Sequence, residues 1–330
     1  MRGARIIGTG RALPLRVVTN AELTTMMDTT EEWIVQRTGI RERRFVEPGT
    51  GASDLGVEAA RVAIERAGLT PKDIQFLIFA TLSSDLFIPG AGVFVQEKMG
   101  MDTIGALDVR TQCTGFLYAL SVAEAYVKSG FHDYVLVIGA EVHSTGLDMS
   151  TAGRDVSVIF GDGGGAVVVG PSEAGVGILS SHLHSEGKYA RELMTEAPAS
   201  VENPRISKEM LDGRRHFAFM NGRSVFTHAV RRFPEVILEA LSANGMAVSD
   251  LSVVIPHQAN LRITQAVAKS LGISPEKVFS NIEKYGNTTA ASVPIALDEC
   301  ATEGTIRAGD LVCLAAFGSG FTWASSLIRW

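Results

Sequence analysis

Cys113 is the side chain best placed to do covalent chemistry. It follows the apolar run 104–109 and stands just before the helical pattern 116–128, with Thr114 and Gly115 letting the backbone turn. A thiol at a helix N-terminus meets unpaired backbone N–H groups and the positive end of the helix dipole, which stabilise a thiolate and lower its pKa. The bland reading is a small buried core residue, because free cysteine is among the most buried residue types. A partner would favour the first reading. His257 ends the apolar run 251–255, and α/β proteins gather their ligands at the C-terminal ends of strands.

An internal repeat supplies a third group. The segment AIERAGLTPKDIQFLI from Ala63 is answered by ALSANGMAVSDLSVVI from Ala240, and the same offset of 177 residues lays YVLVIGAEV from Tyr134 onto LVCLAAFGS from Leu311. The first pair reads as a helix ending at glycine (Gly68, Gly245), a short turn and a buried strand after an aspartate (Asp73, Asp250). That offset carries Cys113 onto Ala290, just beyond Asn287. If a pseudo-twofold axis relates the halves, Cys113, His257 and Asn287 reach one central cleft. Nucleophile, imidazole and carboxamide together suit thioester chemistry.

The elements that must position these groups follow from the pattern. Apolar runs at 74–80, 104–109, 134–139 and 166–170 alternate with helical periodicity, the rhythm of sheets sandwiched by helices. The fold class is α/β, made of two similar βαβ-rich halves, 1–173 with the cysteine and 174–330 with the histidine and asparagine. The polar stretch 185–215 reads as an excursion within the globule.

Composition excludes several classes. With 46% hydrophobic and 20% charged residues the chain is globular, and a net charge of -6 argues against binding nucleic acid or an anionic membrane. No long apolar stretch or cleavable leader is visible, so a cytoplasmic location is expected, and Cys113, Cys300 and Cys313 fit neither a disulfide framework nor a zinc site. Arg37, Arg41, Arg43 and Arg44 form a basic cluster that could face an anion or simply solvent. Gly8, Thr9 and Gly10 lack the third glycine of a dinucleotide loop, and the glycines from Gly161 to Gly165 lead into a strand, reading as a tight turn. His182 and His184 share a strand face with no third ligand, so no metal is expected.

Four ordered motifs, DVRTQCTGF around Cys113, HQANLRI from His257, YGNTTAASVP around Asn287 and AFGSGFTW from Ala316, resemble 3-oxoacyl-(acyl-carrier-protein) synthase III. The resemblance spans nearly the whole chain, from IIGTGRALP and EEWIVQRTGIRERR to Trp330. It implies a thiolase-like fold with layered αβαβα architecture, and a decarboxylating condensation of an acyl-coenzyme A primer with a malonyl-(acyl carrier protein). In that reaction Cys113 holds the acyl group, and His257 and Asn287 donate hydrogen bonds to the malonyl thioester oxygen.

By the same resemblance the backbone N–H groups of Cys113 and Ser319 form a second oxyanion hole; many relatives have glycine where Ser319 stands. Trp33, Arg37 and Arg154 are implied around the nucleotide of coenzyme A, with Asn260 on its pantetheine arm. Arg262 and Lys269 are implied in docking an acidic carrier protein, although Thr227 replaces a lysine often found nearby. Phe87 and Phe160 are implied in the acyl pocket, with the partner chain of a homodimer contributing around Phe87. No cofactor is implied beyond coenzyme A as substrate. Thr111 and Gln112 depart from the small residues common before the cysteine, pointing away from a short acetyl primer. The alternatives are a related transferase with another acceptor, which does not need Asn287, and a silent partner subunit, which lacks the cysteine.

Overall fold

The computed structural model describes residues 2–330. The first half contributes strands β1 (Arg2–Ala12), β2 (Phe76–Ala80), β3 (Gly105–Val109), β4 (Val135–Glu141) and β5 (Gly163–Glu173). The second contributes β6 (Gly177–Ser185), β7 (Val253–Pro256), β8 (Leu311–Gly318) and β9 (Thr322–Arg329). The helices that matter are α1 (Glu31–Thr38), α2 (Ala52–Arg66), α3 (Gly115–Ser129), α4 (Gly222–Ala243), α5 (Leu261–Leu271) and α6 (Ser292–Thr302).

Two main sheets result, in the orders β1-β5-β4-β2-β3 and β7-β8-β9-β6. In the first, β2 and β4 are parallel, and β4 with β5 and β5 with β1 are antiparallel. The second repeats that pattern: β7 and β8 parallel, then β8 with β9 and β9 with β6 antiparallel. The offset of 177 residues seen in the sequence therefore lays β2 on β7, β4 on β8, and α3 on α6. Only β3 has no full counterpart, a single bridge between Val254 and Val278 standing in its place.

Three cores account for five layers, αβαβα. Helices α3 and α6 lie between the sheets, where Phe116, Leu120 and Leu297 meet Ile78, Val137, Val312 and Leu314. Helix α2 covers the outer face of the first sheet through Leu55, Ala59 and Ile64 against Phe79 and Ile138. Helices α4 and α5 cover the second through Phe233, Ile237 and Val267 against Val254, Ala315 and Leu327. A strand covered on both faces needs apolar side chains at successive positions, which is why every residue of β4 is buried and its sequence does not alternate.

The glycines at 163–165 do not form a turn; they open β5. A Cβ on Gly165 would lie 2.7 Å from the Ile295 backbone nitrogen, and one on Gly164 2.8 Å from the Leu55 carbonyl oxygen. Helices press on both faces of the strand there, and only glycine allows the approach. Arg43 corrects a second expectation. It is fully buried, donating to Asn20 Oδ1 at 2.8 Å and to the carbonyls of Val158 at 2.8 Å and Val18 at 3.2 Å. It neither binds an anion nor faces solvent.

The excursion after β6 forms a two-stranded ribbon (Leu193–Met194 with Phe219–Met220) and a short helix, Lys208–Asp212. Its ion pair from Arg214 to Asp148 ties it to the first half. Among the described residues no helix is long and apolar enough to cross a membrane, and no group of His, Cys, Asp and Glu is arranged to hold a metal ion. Cys113, Cys300 and Cys313 are free and buried.

Candidate active site

Both central helices begin in a tight 3₁₀ turn, Gln112–Thr114 ahead of α3 and Thr289–Ala291 ahead of α6. Gln112 and Thr289, equivalent under the repeat, both have positive φ, 47° and 49°. Such a conformation costs a residue with a Cβ on the order of 1 kcal/mol and persists where packing over-determines it. Here it aims two turns at one point between the sheets.

Cys113 follows the first strained residue and is buried at 8% exposure. The backbone N–H groups of Cys113 itself and of Ser319, with the Thr289 hydroxyl, face its sulfur. A Cβ on Gly318 would sit 2.8 Å from the Cys113 Cβ, so glycine at the end of β8 is what lets that strand close on the thiol. The Ser319 side chain turns away to the Leu193 carbonyl, leaving its backbone toward the cysteine.

His257 leaves β7 with its N–H on the Ala315 carbonyl at 2.7 Å, and its Nδ1 lies 2.6 Å from Ser292 Oγ at the start of α6. Asn287 is held by its N–H on the Ile159 carbonyl at 2.9 Å. Its Oδ1 accepts from the Thr289 N–H at 2.8 Å, and among the described residues its Nδ2 has no partner. Cys113, His257 and Asn287 line one cavity of about 490 Å³, together with Phe226, Phe317 and Gly318. A second cavity of about 850 Å³ opens on the other side of the thiol, and Cys113, Phe160 and Leu193 border both. The thiol thus stands at a junction.

At the mouth of the smaller cavity, Arg37 stacks over the Trp33 ring at 4.3 Å and Arg154 approaches it at 5.4 Å. Arg154 also donates to the Asp28 carbonyl at 2.5 Å. Asn260 borders the cavity but its amide is engaged: Oδ1 caps α5 through the Arg262 N–H at 2.9 Å, and Nδ2 donates to the Arg37 carbonyl at 2.8 Å. Arg262 and Lys269 are exposed two turns apart on one face of α5, Arg262 lying over Phe226 at 5.3 Å. Phe87, 67% exposed, lines neither cavity of its own chain.

The electrostatics overturn one expectation. Burial, and then the charge of Glu141, push the Cys113 thiol up to about 12 against the pull of the two N–H groups and the Thr289 hydroxyl. Desolvation outweighs the helix end because the turn is enclosed between two sheets. Burial, and then the neighbouring His143, hold His257 down to about 3, so its ring is neutral. Glu141, buried and accepting from Ser83 Oγ at 2.6 Å and Thr81 Oγ1 at 3.1 Å, is pushed up to about 7.

Glu141 therefore raises the thiol only once ionised. Glu141→Gln, which keeps the shape without the charge, is expected to speed alkylation of Cys113 roughly 3- to 10-fold at pH 8.5, since one nearby charge is worth about 0.5–1 pKa unit. At pH 6 variant and wild type should match. An equal rate at both pH values in iodoacetamide kinetics would separate Glu141 from the thiol.

Sequence reasoning missed Glu141, His143, Thr289 and Ser292. His143 carried the signal that singled out His257, a histidine just past a buried strand, and Thr289 lay within the motif around Asn287.

A sequence model described as 3-Oxoacyl-[acyl-carrier-protein (ACP)] synthase III matches residues 107–187, and its C-terminal companion matches residues 241–330. The chain is similar to the beta-ketoacyl-[acyl-carrier-protein] synthase III of Caldanaerobacter subterraneus subsp. tengcongensis, 43% identical over 99% of this chain and 98% of that one. The fold is similar to the crystal structure of 3-oxoacyl-[acyl-carrier-protein] synthase III from Aquifex aeolicus, with a TM-score of 0.91 and 41% identity over 99% of this chain and 100% of the other. It is also similar to the priming beta-ketosynthase of the R1128 polyketide pathway, with a TM-score of 0.90 and 35% identity over 99% and 97% of the two chains.

Proposed function

Because the chain belongs to the 3-oxoacyl-(acyl-carrier-protein) synthase III family, we propose that it condenses an acyl-coenzyme A primer with malonyl-(acyl carrier protein), releasing coenzyme A and carbon dioxide and leaving a 3-oxoacyl-(acyl carrier protein). The observation that carries this reading is the position of Cys113 between two cavities, with His257 and Asn287 in one of them only. An acyl chain parked in the larger cavity leaves the smaller one free for the second thioester.

In the first step the Cys113 sulfur attacks the primer's thioester carbonyl, the bond from that carbon to the coenzyme A sulfur breaks, and the thiol proton ends on the leaving sulfur. The oxyanion that forms meets the backbone N–H groups of Cys113 and Ser319. In the second step the malonyl unit loses carbon dioxide, and charge gathers on its thioester oxygen. The Asn287 Nδ2 and a neutral His257 are suited to that oxygen. Ser292 Oγ lies 2.6 Å from His257 Nδ1 and donates to the Thr289 carbonyl at 2.9 Å; the Ser292 N–H bonds that same carbonyl, so a turn of the hydroxyl onto Nδ1 would leave the ring proton on Nε2. The enolate carbon then attacks the acyl-Cys113 carbonyl, and the Cys113 sulfur leaves and takes a proton from solvent. Neutral donors fixed in place stabilise such an anion better than water, which must reorient.

Trp33 and Arg37 suit the adenine and phosphates of coenzyme A, supported by their stacking at the cavity mouth; Arg154 reinforces the ring face. Asn260 acts there chiefly by fixing α1 against α5. Arg262 and Lys269 offer a basic face to an acidic carrier protein. The nucleophile belongs to residues 1–173 and the two donors to residues 174–330, a division supported by the end of β5 at Glu173. Coenzyme A enters only as substrate, and the three free, buried thiols suit a reducing cytoplasm.

A homodimer completes this reading. Strand β3 pairs on one side only, and the segment ahead of the helix Ala91–Met99 exposes Leu86, Phe87 and Ile88, with Phe87 67% and Ile88 75% exposed. The Asp108 carboxylate ties the two features together, accepting from the Ala91 N–H at 2.5 Å and the Gly92 N–H at 2.9 Å. A naked edge beside an apolar loop invites a second copy to pair antiparallel with β3 and to insert its Phe87. Sedimentation should give twice the 35.2 kDa chain mass, and Leu107→Glu should shift it toward the single chain. A fully active monomer would contradict this assembly.

The function itself is tested by intact-protein mass after incubation with acyl-coenzyme A thioesters from acetyl to long chain, followed by malonyl-(acyl carrier protein). The expected result is one acyl adduct, absent from Cys113→Ala and discharged as a 3-oxoacyl product. An adduct that malonyl thioesters leave intact would instead assign another acceptor.

A further inference from the structure

The larger cavity is not walled for hydrocarbon alone. Leu82, Val142, Leu147, Leu193 and Met194 give it apolar surface, but Gln112, His143, His216 and Thr289 line it as well. His143 follows β4, its ring against Phe160 at 4.7 Å, and its Nε2 lies 2.7 Å from the Thr289 hydroxyl that reaches the Cys113 sulfur. Among the described residues its Nδ1 has no partner. Gln112, adjacent in sequence to the cysteine and held at positive φ, lines the same wall, and its side-chain amide is likewise unpartnered among the described residues. Farther along the wall, His216 Nδ1 is buried with no partner among the described residues.

A polar group withdrawn from water without a partner costs free energy, and an alkyl chain laid against these groups would seal them from water. An acyl group that carries its own oxygen would satisfy them. The charges on the wall point to an uncharged one: Lys98 pairs with Asp54 at 2.6 Å and with Asp85 at 3.9 Å, and Arg110 brings the sum of the four to zero.

We infer that the acyl group loaded on Cys113 carries an uncharged oxygen function, a hydroxyl or keto group close to the thioester end of its chain, hydrogen-bonded by His143 and Gln112. The inference rests on the acyl-cysteine reading above and names the primer class for it. Burial holds the His143 imidazole down to about 4, so it meets the primer as a neutral group able to donate or accept.

The experiment compares octanoyl-coenzyme A with 3-hydroxyoctanoyl-coenzyme A, equal in chain length, by the rate of adduct formation on Cys113 in the full-length protein. Wild type should load the hydroxylated primer at least ~10-fold faster, because a site built to bond an oxygen leaves its own polar groups unpaired with the analogue that lacks it. His143→Leu should bring the two rates within about 2-fold of each other, a collapse of the ratio that a folding defect, which slows both thioesters alike, would not produce. Equal rates in wild type, a preference for octanoyl, or a preference unchanged in both His143→Leu and Gln112→Ala would overturn the inference and leave the acyl-cysteine mechanism standing. Failure of Cys113 to accept either of these thioesters or any other would instead overturn the mechanism.

Discussion

Replacing His257 or Asn287 with alanine is expected to give a protein that loads its acyl group and then stalls. Both side chains face the smaller cavity, and neither forms part of the N–H pair that meets the sulfur from Cys113 and Ser319. Acylation of Cys113 by an acyl-coenzyme A should therefore proceed within a few-fold of the wild-type rate. Decarboxylation of malonyl-(acyl carrier protein) should fall by about 10²–10³ for each variant, the range for losing one fixed donor to a developing oxyanion. The double variant should fall by less than the product, because two donors to one oxygen act as a unit. The measurement is a split assay, adduct mass for the first half and release of labelled carbon dioxide for the second. Equal losses in both halves would mean that these side chains organise the cysteine and not the malonyl unit. Asn287→Asp gives a sharper contrast, since a carboxylate at that position would oppose the same charge.

The second large effect concerns acid. His143 and His257 are held near 4 and 3 by burial, well below the value of about 6.5 that histidine has in an unfolded chain. Between those limits the unfolded chain binds protons that the folded chain refuses, so stability falls as pH falls from about 6.5 toward 4, by roughly 3 kcal/mol for each ring. Glu141 acts in the opposite sense. Its folded value of about 7 exceeds the ordinary 4.5, so the folded chain keeps a proton that the unfolded chain loses, and roughly 3 kcal/mol disappears as pH rises through that window. From these three groups stability should climb steeply from pH 4 to about 6 and then level off. Urea unfolding at half-unit pH steps tests this, with His143→Leu expected to remove about three-quarters of the rise between pH 4 and 6, because Glu141 already offsets most of one ring, and Glu141→Gln to restore a rise toward pH 7. A His143→Leu profile parallel to wild type would show that this ring is not held neutral by the fold.

Much of the architecture was legible because the chain repeats itself. Ala63 and Ala240, Asp73 and Asp250, and the two apolar runs at 134–142 and 311–319 share one offset, and the structure turns each pair into matching elements of the two sheets. The same offset places Asn287 beside the segment equivalent to the cysteine turn. Gln112 and Thr289 share it too, but their common positive φ leaves no mark in residue type, since neither is glycine. Strand limits moved by a residue or two, as at β2, which begins at Phe76 after the turn Pro71–Asp73.

The misreadings have a common physical origin. Arg43 sits in a basic cluster along the sequence, yet its partners Asn20 and Val158 lie elsewhere in the chain and take it into the interior. The glycines before β5 look like a turn locally and are spacers for helices that arrive from residues near 55 and 295. In both cases the deciding neighbour is remote in sequence.

By itself, then, the sequence determined the α/β class, the twofold repeat, and the meeting of Cys113, His257 and Asn287, because periodicity and repetition are properties of local order. Only the tertiary structure decided the ionisation of the site and the character of its two cavities. Helix position alone predicted a lowered thiol pKa, whereas the folded site raises it, since desolvation depends on how completely two sheets enclose the turn and on a carboxylate, Glu141, delivered by another strand. The polar wall beside the acyl position arises in the same way: His143, Gln112 and His216 become neighbours of one cavity only when the layers close.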